Sequence, residues 1–272
     1  MKRSGAKRLG ALAVCAICLI SIDVIADSSV TKQRSVTRLT EGVFVIRHAD
    51  APDGYPQGNT TVIVGEREAL VVDSGYLPSG AREDIAQIRQ WTDKPVRYVL
   101  NTHWHPDHQR GNAAYVEAFP HLGVIAHRNT STLMATYETG NLSRYPGRVA
   151  AMRTALDQGK DATGKSLDAA ELQAMREQFA GQSRVLAELQ ASHMLLPTIT
   201  FDRELDLDLG NRIVEIRHSG SGDTQGDAWA YLPKERILIT GDVLAAPVPY
   251  FFAGYPSGLA TTLRRLLELE TM

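Results

Sequence analysis

Short apolar runs separated by turn residues dominate the first part of the chain. After a polar lead-in over 27–40, Gly42-Val43-Phe44-Val45-Ile46 reads as a strand and 49–58 as a Pro/Gly-rich loop. The runs 60–64 and 69–72 read as two further strands around the turn Gly65-Glu66-Arg67-Glu68, the second ending at Asp73-Ser74-Gly75. Over 81–91 the spacing becomes helical, with Ile85 and Ile88 on one face. The apolar stretch 96–100 is the pattern of a buried strand, 112–119 predicts a helix, and Gly123-Val124-Ile125-Ala126 another strand.

The character then changes. From about 129 to 195 the chain is rich in Ala, Gln, Glu, Arg, Leu and Met, and Leu172, Met175 and Phe179 recur at helical spacing behind Ser166 as N-cap, which predicts a helical insertion. Strand patterning returns over 198–209, where Phe201, Leu205, Leu207 and Leu209 alternate with polar and charged residues, and continues over 212–216. The runs 227–232 and 236–239 form another strand pair across Pro233-Lys234, and 257–269 predicts a closing helix. Two β-rich halves therefore flank a helical insertion. The fold class is α/β, and loops at the C-terminal ends of such strands are where binding sites form.

Composition narrows this. A 272-residue chain that is 43% hydrophobic with nearly balanced charge suits one large globular domain. At the N-terminus, Lys2, Arg3, Lys7 and Arg8 precede an apolar run over 9–22, and Val24-Ile25-Ala26 offers small residues before a cut at Asp27. This is the pattern of a secretory signal peptide over 1–26; the run is too short to span a bilayer, and neither cysteine follows a lipobox, so no membrane or lipid anchor is expected. Cys15 and Cys18 both lie within it, so the mature 27–272 chain has no disulfide and no thiolate nucleophile or ligand. Removing a segment of net charge +3 from a chain of −2 leaves −5, and with no basic run nothing favours nucleic acid as a partner. The expected partner is a small-molecule substrate and the expected location periplasmic.

The candidate chemistry sits just after 96–100. His103-Trp104-His105-Pro106-Asp107-His108 packs three of the eight histidines and one carboxylate into six positions. Neutral imidazole and carboxylate are ligands that zinc prefers, and a catalytic site needs several of them converging with a position left open for water. In an extended segment His103, His105 and Asp107 point the same way, and a bend at Pro106 brings His108 beside them.

This motif, Asp73-Ser74-Gly75, the loop from His218 through Gly222-Asp223-Thr224 to Asp227, and Thr240-Gly241-Asp242 occur in an order that resembles the metallo-β-lactamase superfamily. The resemblance implies a four-layered αβ/βα sandwich and a hydrolase with two zinc ions: His103 and His105 on the first, Asp107 and His108 on the second, Asp242 bridging them. It implies that paired cations make a water ionisable near neutral pH and that Asp107 orients it and accepts its proton. Two departures stand out. Where the family usually has a histidine in a G-H-T element, this chain has Asp223, with His218 five residues earlier as the other candidate. The family also usually continues past the 257–269 helix into a further strand and a P-G-H-G-like segment carrying the last ligand, whereas no histidine follows His218 here; the expectation is a truncated chain with a weakened second site. The substrate expected is a β-lactam-like cyclic amide, with lactonase or other esterase activity and a degenerate, non-catalytic metal binder as alternatives. Aromatics in 246–256 are candidates for an apolar substrate wall.

Overall fold

The computed structural model of the protein describes residues 33–245 and 254–269. The 1–26 segment and Tyr250, Phe251 and Phe252 of the aromatic loop lie outside them. No described helix is long and apolar enough to cross a membrane.

One sheet holds seven strands in sequence order: β1 Ser35–Thr40, β2 Val43–Arg47, β3 Asn59–Val64, β4 Ala69–Val72, β5 Val96–Asn101, β6 Gly123–His127 and β7 Ile199–Phe201. The first four pair antiparallel, with short turns except between β2 and β3, where the loop 48–58 intervenes. The last three add in parallel, which requires crossovers. These are α1 Pro78–Trp91 before β5, then α2 Pro106–Gln109 and α3 Asn112–Ala118 before β6. The insertion makes the last crossover, with α4 Arg128–Leu133, a π-helical turn Met134–Glu138, α5 Thr139–Gln158 and α6 Ala169–Gln190. The second sheet is antiparallel, β8 Glu204–Asp208, β9 Ile213–Arg217, β10 Trp229–Leu232 and β11 Ile237–Ile239, and α7 Pro256–Leu266 closes the described chain.

The layers follow from which faces are apolar. Ile63, Leu70, Val72, Leu100 and Ile125 of the first sheet meet Val214, Ile216, Ala230 and Leu232 of the second. On the opposite face Val62, Val71, Val99 and Val124 are covered by Ile85 and Ile88 of α1 and Tyr115 of α3. Trp229 and Tyr231 on the outer face of the second sheet are covered by Leu259 and Leu266 of α7. Strand β4 is buried on both faces and reads as an unbroken apolar run. The result is the four-layered αβ/βα sandwich with its helical insertion.

Four local expectations are corrected. The lead-in contains β1, whose side chains are almost all exposed; main-chain pairing with β2 holds it, so it needs no apolar face. Pro78 at the first helical position starts α1 three residues earlier than the apolar spacing shows. The 198–209 alternation is two strands in different sheets, turned at Asp202-Arg203, where Asp202 is held by Arg128 at 2.7 Å. The cap of α6 is Asp168, in a reciprocal capping box with Glu171, and Ser166 instead bridges Lys160.

Candidate metal centre

Strand β5 ends at Asn101 with its C-terminal edge open, and residues 102–105 leave it through a series of bends. His105 then caps α2, and Pro106 at its first position fixes the φ that a helical start needs. Asp107 thus sits on a helical turn and not on the extended segment its spacing suggested, and the same turn that starts at Pro106 carries His108. The turn is anchored from behind: the His108 carbonyl accepts from Ser74 N at 3.0 Å and from Asn101 Nδ2 at 2.9 Å. Close approach there depends on Gly111, where a Cβ would run into the Ser74 carbonyl.

Four candidate ligand groups, His103, His105, Asp223 and Asp242, have ligand atoms that converge within 4.8 Å. His103 Nε2 lies 2.9 Å from His105 Nδ1 and 3.7 Å from Asp223 Oδ2, and His105 Nδ1 lies 3.3 Å from the same oxygen. Asp242 offers Oδ2 to this set, 3.8 Å from His103 Nε2, and Oδ1 to the other, 3.4 Å from His108 Nε2. Asp107 Oδ2 is 3.3 Å from His108 Nε2. A tetrahedral cation with ligand bonds near 2.0–2.1 Å spaces its ligand atoms about 3.3–3.4 Å apart, close to these separations. Asp223 Oδ2 and His108 Nε2 are also buried without a hydrogen-bond partner, the state of an atom whose partner is an ion. The donor set of His103, His105, Asp223 and Asp242 therefore fits a borderline dication, with Asp107 and His108 beside it.

His218 is not at the site. Its ring stacks on His127, centroids 3.9 Å apart, and its Nδ1 donates to the Asp227 carbonyl at 2.8 Å. The third place beside His103 and His105 falls to Asp223.

Asp73 was quoted in the sequence only as the end of a strand, and it organises both histidine sets. It is a buried non-glycine residue at φ 60. Its Oδ1 accepts from Thr102 N and its Oδ2 from Thr102 Oγ1 and His108 Nδ1, each at 2.8 Å. The Thr102 hydroxyl, having donated its proton, accepts from His103 Nδ1 at 3.0 Å. Both rings are thereby held as Nδ1–H donors with Nε2 turned to the site, the orienting role a metal centre requires.

Electrostatics agrees with the geometry. Burial and the neighbouring His108 charge hold His103 well below the usual histidine range, and burial lowers His105, so both are neutral. Burial acts in the same direction on His108, but the Asp107 and Asp73 carboxylates outweigh it and raise it well above. Burial, then Asp227 and Asp242, push Asp223 up to about 7. A cation would relieve this crowding of carboxylates.

A cavity of about 580 Å³ opens beside His105 and Trp104. Tyr55 and Tyr76 line it with their rings 4.9 Å apart, and Arg144, Tyr145, Arg148 and Leu189 of the insertion complete the lining. None of these wall residues carries a sequence signal; tertiary contact alone brings them to the site.

A sequence profile described as the metallo-beta-lactamase superfamily matches residues 53–272. A linear primary-alkylsulfatase of Pseudomonas sp. (strain ATCC 19151) is 30% identical over 180 residues, 65% of this chain and 32% of that protein. An atrochrysone carboxyl ACP thioesterase of Aspergillus chevalieri is 34% identical over 96 residues, 35% of this chain and 31% of that protein. The alignments thus span about a third of these two relatives. Among solved structures, a metallo-beta-lactamase from Pontibacter korlensis superposes with a TM-score of 0.58 at 17% identity, over 87% of this chain and 86% of that one.

Proposed function

The chain belongs to the metallo-β-lactamase superfamily, and from that premise we propose that it is an exported, zinc-dependent hydrolase of a β-lactam-like cyclic amide or an ester. The observation that carries this reading is the cage itself. Two neutral imidazole nitrogens and the Asp223 and Asp242 carboxylates converge at ligand spacing, and Asp242 turns its second oxygen to His108. His103, His105 and Asp223 would hold one ion, Asp107 and His108 the other, with Asp242 shared.

When bound, the ions supply a water that ionises near neutral pH and a Lewis-acid contact for the substrate carbonyl or ester oxygen. The residues do the rest. Thr102 and Asp73 keep His103 and His108 in the ligating tautomer. Asp107, beside His108, would orient the attacking water and receive its proton at the carboxylate. A carboxylate at 223 in place of imidazole adds negative charge and lowers the Lewis acidity of the first position.

The ester arm has its own support, since the relatives named above are an alkylsulfatase and a thioesterase. The test is a panel of a chromogenic cephalosporin, an aryl ester, a lactone and an aryl sulfate, run with zinc and after chelation. Chelator-sensitive turnover of the cephalosporin or of an ester supports the reading. Silence on every substrate by protein whose zinc content is verified overturns it in favour of a non-catalytic metal binder.

A further inference from the structure

We propose that the helical insertion carries a subsite for an anionic group of the substrate, built on Arg144 and Arg148 of α5, in the cavity that His105 also lines. The inference rests on the hydrolase reading for what the bound molecule undergoes, and on the cavity alone for what binds.

His105 and Trp104 line the cavity together with Arg144, Tyr145 and Arg148. Residues four apart lie on one helical face, so both guanidinium groups reach the same space. Among the described residues neither is paired with a carboxylate. Arg148 is braced instead by the Tyr145 ring, its guanidinium carbon 4.9 Å from the centroid. Tyr145 is itself fixed, buried with Leu77, Val185 and Leu189 and donating its hydroxyl to Asp53 Oδ2 at 2.8 Å.

Charge in the cavity runs against that of the chain. Arg144 and Arg148 share the lining with a single carboxylate, Asp53, in a protein of formal charge −2. The Asp53 carboxylate is already engaged, through Oδ2 by Tyr145 and through Oδ1 by Tyr55 N at 3.1 Å. Guanidinium groups, tyrosine rings and the ligand residue His105 lining one cavity describe a complementary molecule. It has an oxyanion at one end, an apolar body, and its scissile bond some distance away. Guanidinium forks suit carboxylate, sulfate and phosphate alike.

The test uses full-length, zinc-loaded protein and two aryl esters differing in one group: 4-nitrophenyl hydrogen glutarate and its neutral methyl ester. Wild type is expected to favour the acid, and Arg144→Gln with Arg148→Gln to reduce the acid-to-ester ratio of kcat/KM by about tenfold per arginine, mainly through KM. Lysine at both positions restores part of the ratio, which loss of folding would not. In parallel, calorimetry with phenylacetate, phenyl sulfate, phenyl phosphate and neutral phenylacetamide measures binding directly and ranks the anions. Any contact of these anions with the metal is common to wild type and variant, so the difference isolates the arginines. Arginine-dependent anion binding with no turnover of either ester or of any substrate in the panel above would retain the subsite and reject the hydrolase reading. Turnover with an acid-to-ester ratio indifferent to both substitutions would reject the subsite and retain the hydrolase.

Discussion

Replacing Asp73 by asparagine separates metal binding from folding. Asparagine is nearly isosteric and one of the few side chains at ease at the φ of 60 found here, so the backbone is spared. Its oxygen can still accept from Thr102 N, but its amide then faces His108 Nδ1, which in the native protein donates to Asp73 Oδ2 at 2.8 Å. Two donors cannot share that contact. The ring is relieved by moving its proton to Nε2, the atom that stands 3.3 Å from Asp107 and 3.4 Å from Asp242 and would otherwise bind the ion. Loss of such an orienting partner costs about 10–100-fold in metal affinity, or about 1.4–2.8 kcal/mol.

The metal-free fold should feel less. Burial raises the pKa of Asp73 despite its hydrogen bonds, so a neutral amide recovers desolvation that the carboxylate suffers and offsets part of the lost charge-assisted bond. The net destabilisation expected is about 1 kcal/mol or below. Competition with a chromophoric chelator gives the zinc affinity, and urea unfolding in chelator gives the stability. Unchanged zinc affinity in Asp73→Asn would refute the tautomer argument, and so would an affinity loss fully matched by lost apo stability.

His48 gives a pH signature. Burial opposes its charge, but Asp84 Oδ2 at 2.8 Å and the Gly58 carbonyl at 2.9 Å raise its pKa above 6.5. A raised folded pKa stabilises fully below the unfolded value and fades as pH rises through the folded one. The Tm gap between wild type and His48→Gln in chelator should therefore be larger at about pH 5.5 than at about pH 8.5; an unchanged gap refutes the assignment. With Asp223 pushed up to about 7, zinc must displace a proton below that pH, so affinity should rise with pH through about 7 and Asp223→Asn should flatten the rise. Gly111→Ala puts a Cβ 2.7 Å from Ala81 Cβ and against the Ser74 carbonyl, which predicts about 1–3 kcal/mol of destabilisation in urea with weakened zinc binding.

What could be read in advance depended on how far apart in sequence the cooperating residues lie. His103, His105, Asp107 and His108 are adjacent, so residue type and spacing alone announce a metal site. Asp223 and Asp242 come from turns of the second sheet, and only resemblance to a family order singled them out. Asp73 was visible as a strand end, but nothing local says that a carboxylate there will reach Thr102 and His108 across a parallel strand pair. The same limit applies to strands. β1 was hidden because its exposed side chains obey no apolar period, and β7 ran into β8 because alternation continues through the Asp202-Arg203 corner while the chain changes sheets.

The two parts of the site differ in how they are held. The ligands hang on strands whose apolar faces form the main cores, where each large side chain buried contributes about 1.5–3 kcal/mol. The insertion meets the loops beside the cavity through a separate, smaller cluster, in which Ala51, Tyr76 and Leu77 face Tyr145, Val185 and Leu189. Polar pins supplement it: Tyr145 to Asp53, and Glu188 accepting from Ser79 N and Oγ. Gly181 lets α6 approach the Pro52 carbonyl, a contact any Cβ would block. Because the cavity-lining Tyr145 and Leu189 pack in that cluster and not in the sheet cores, substitutions on this face of the insertion can reshape the cavity wall with little disturbance of the strands that carry the ligands. The proposed subsite therefore predicts that substitutions on the insertion shift substrate preference while zinc binding by the ligands on the sandwich is retained.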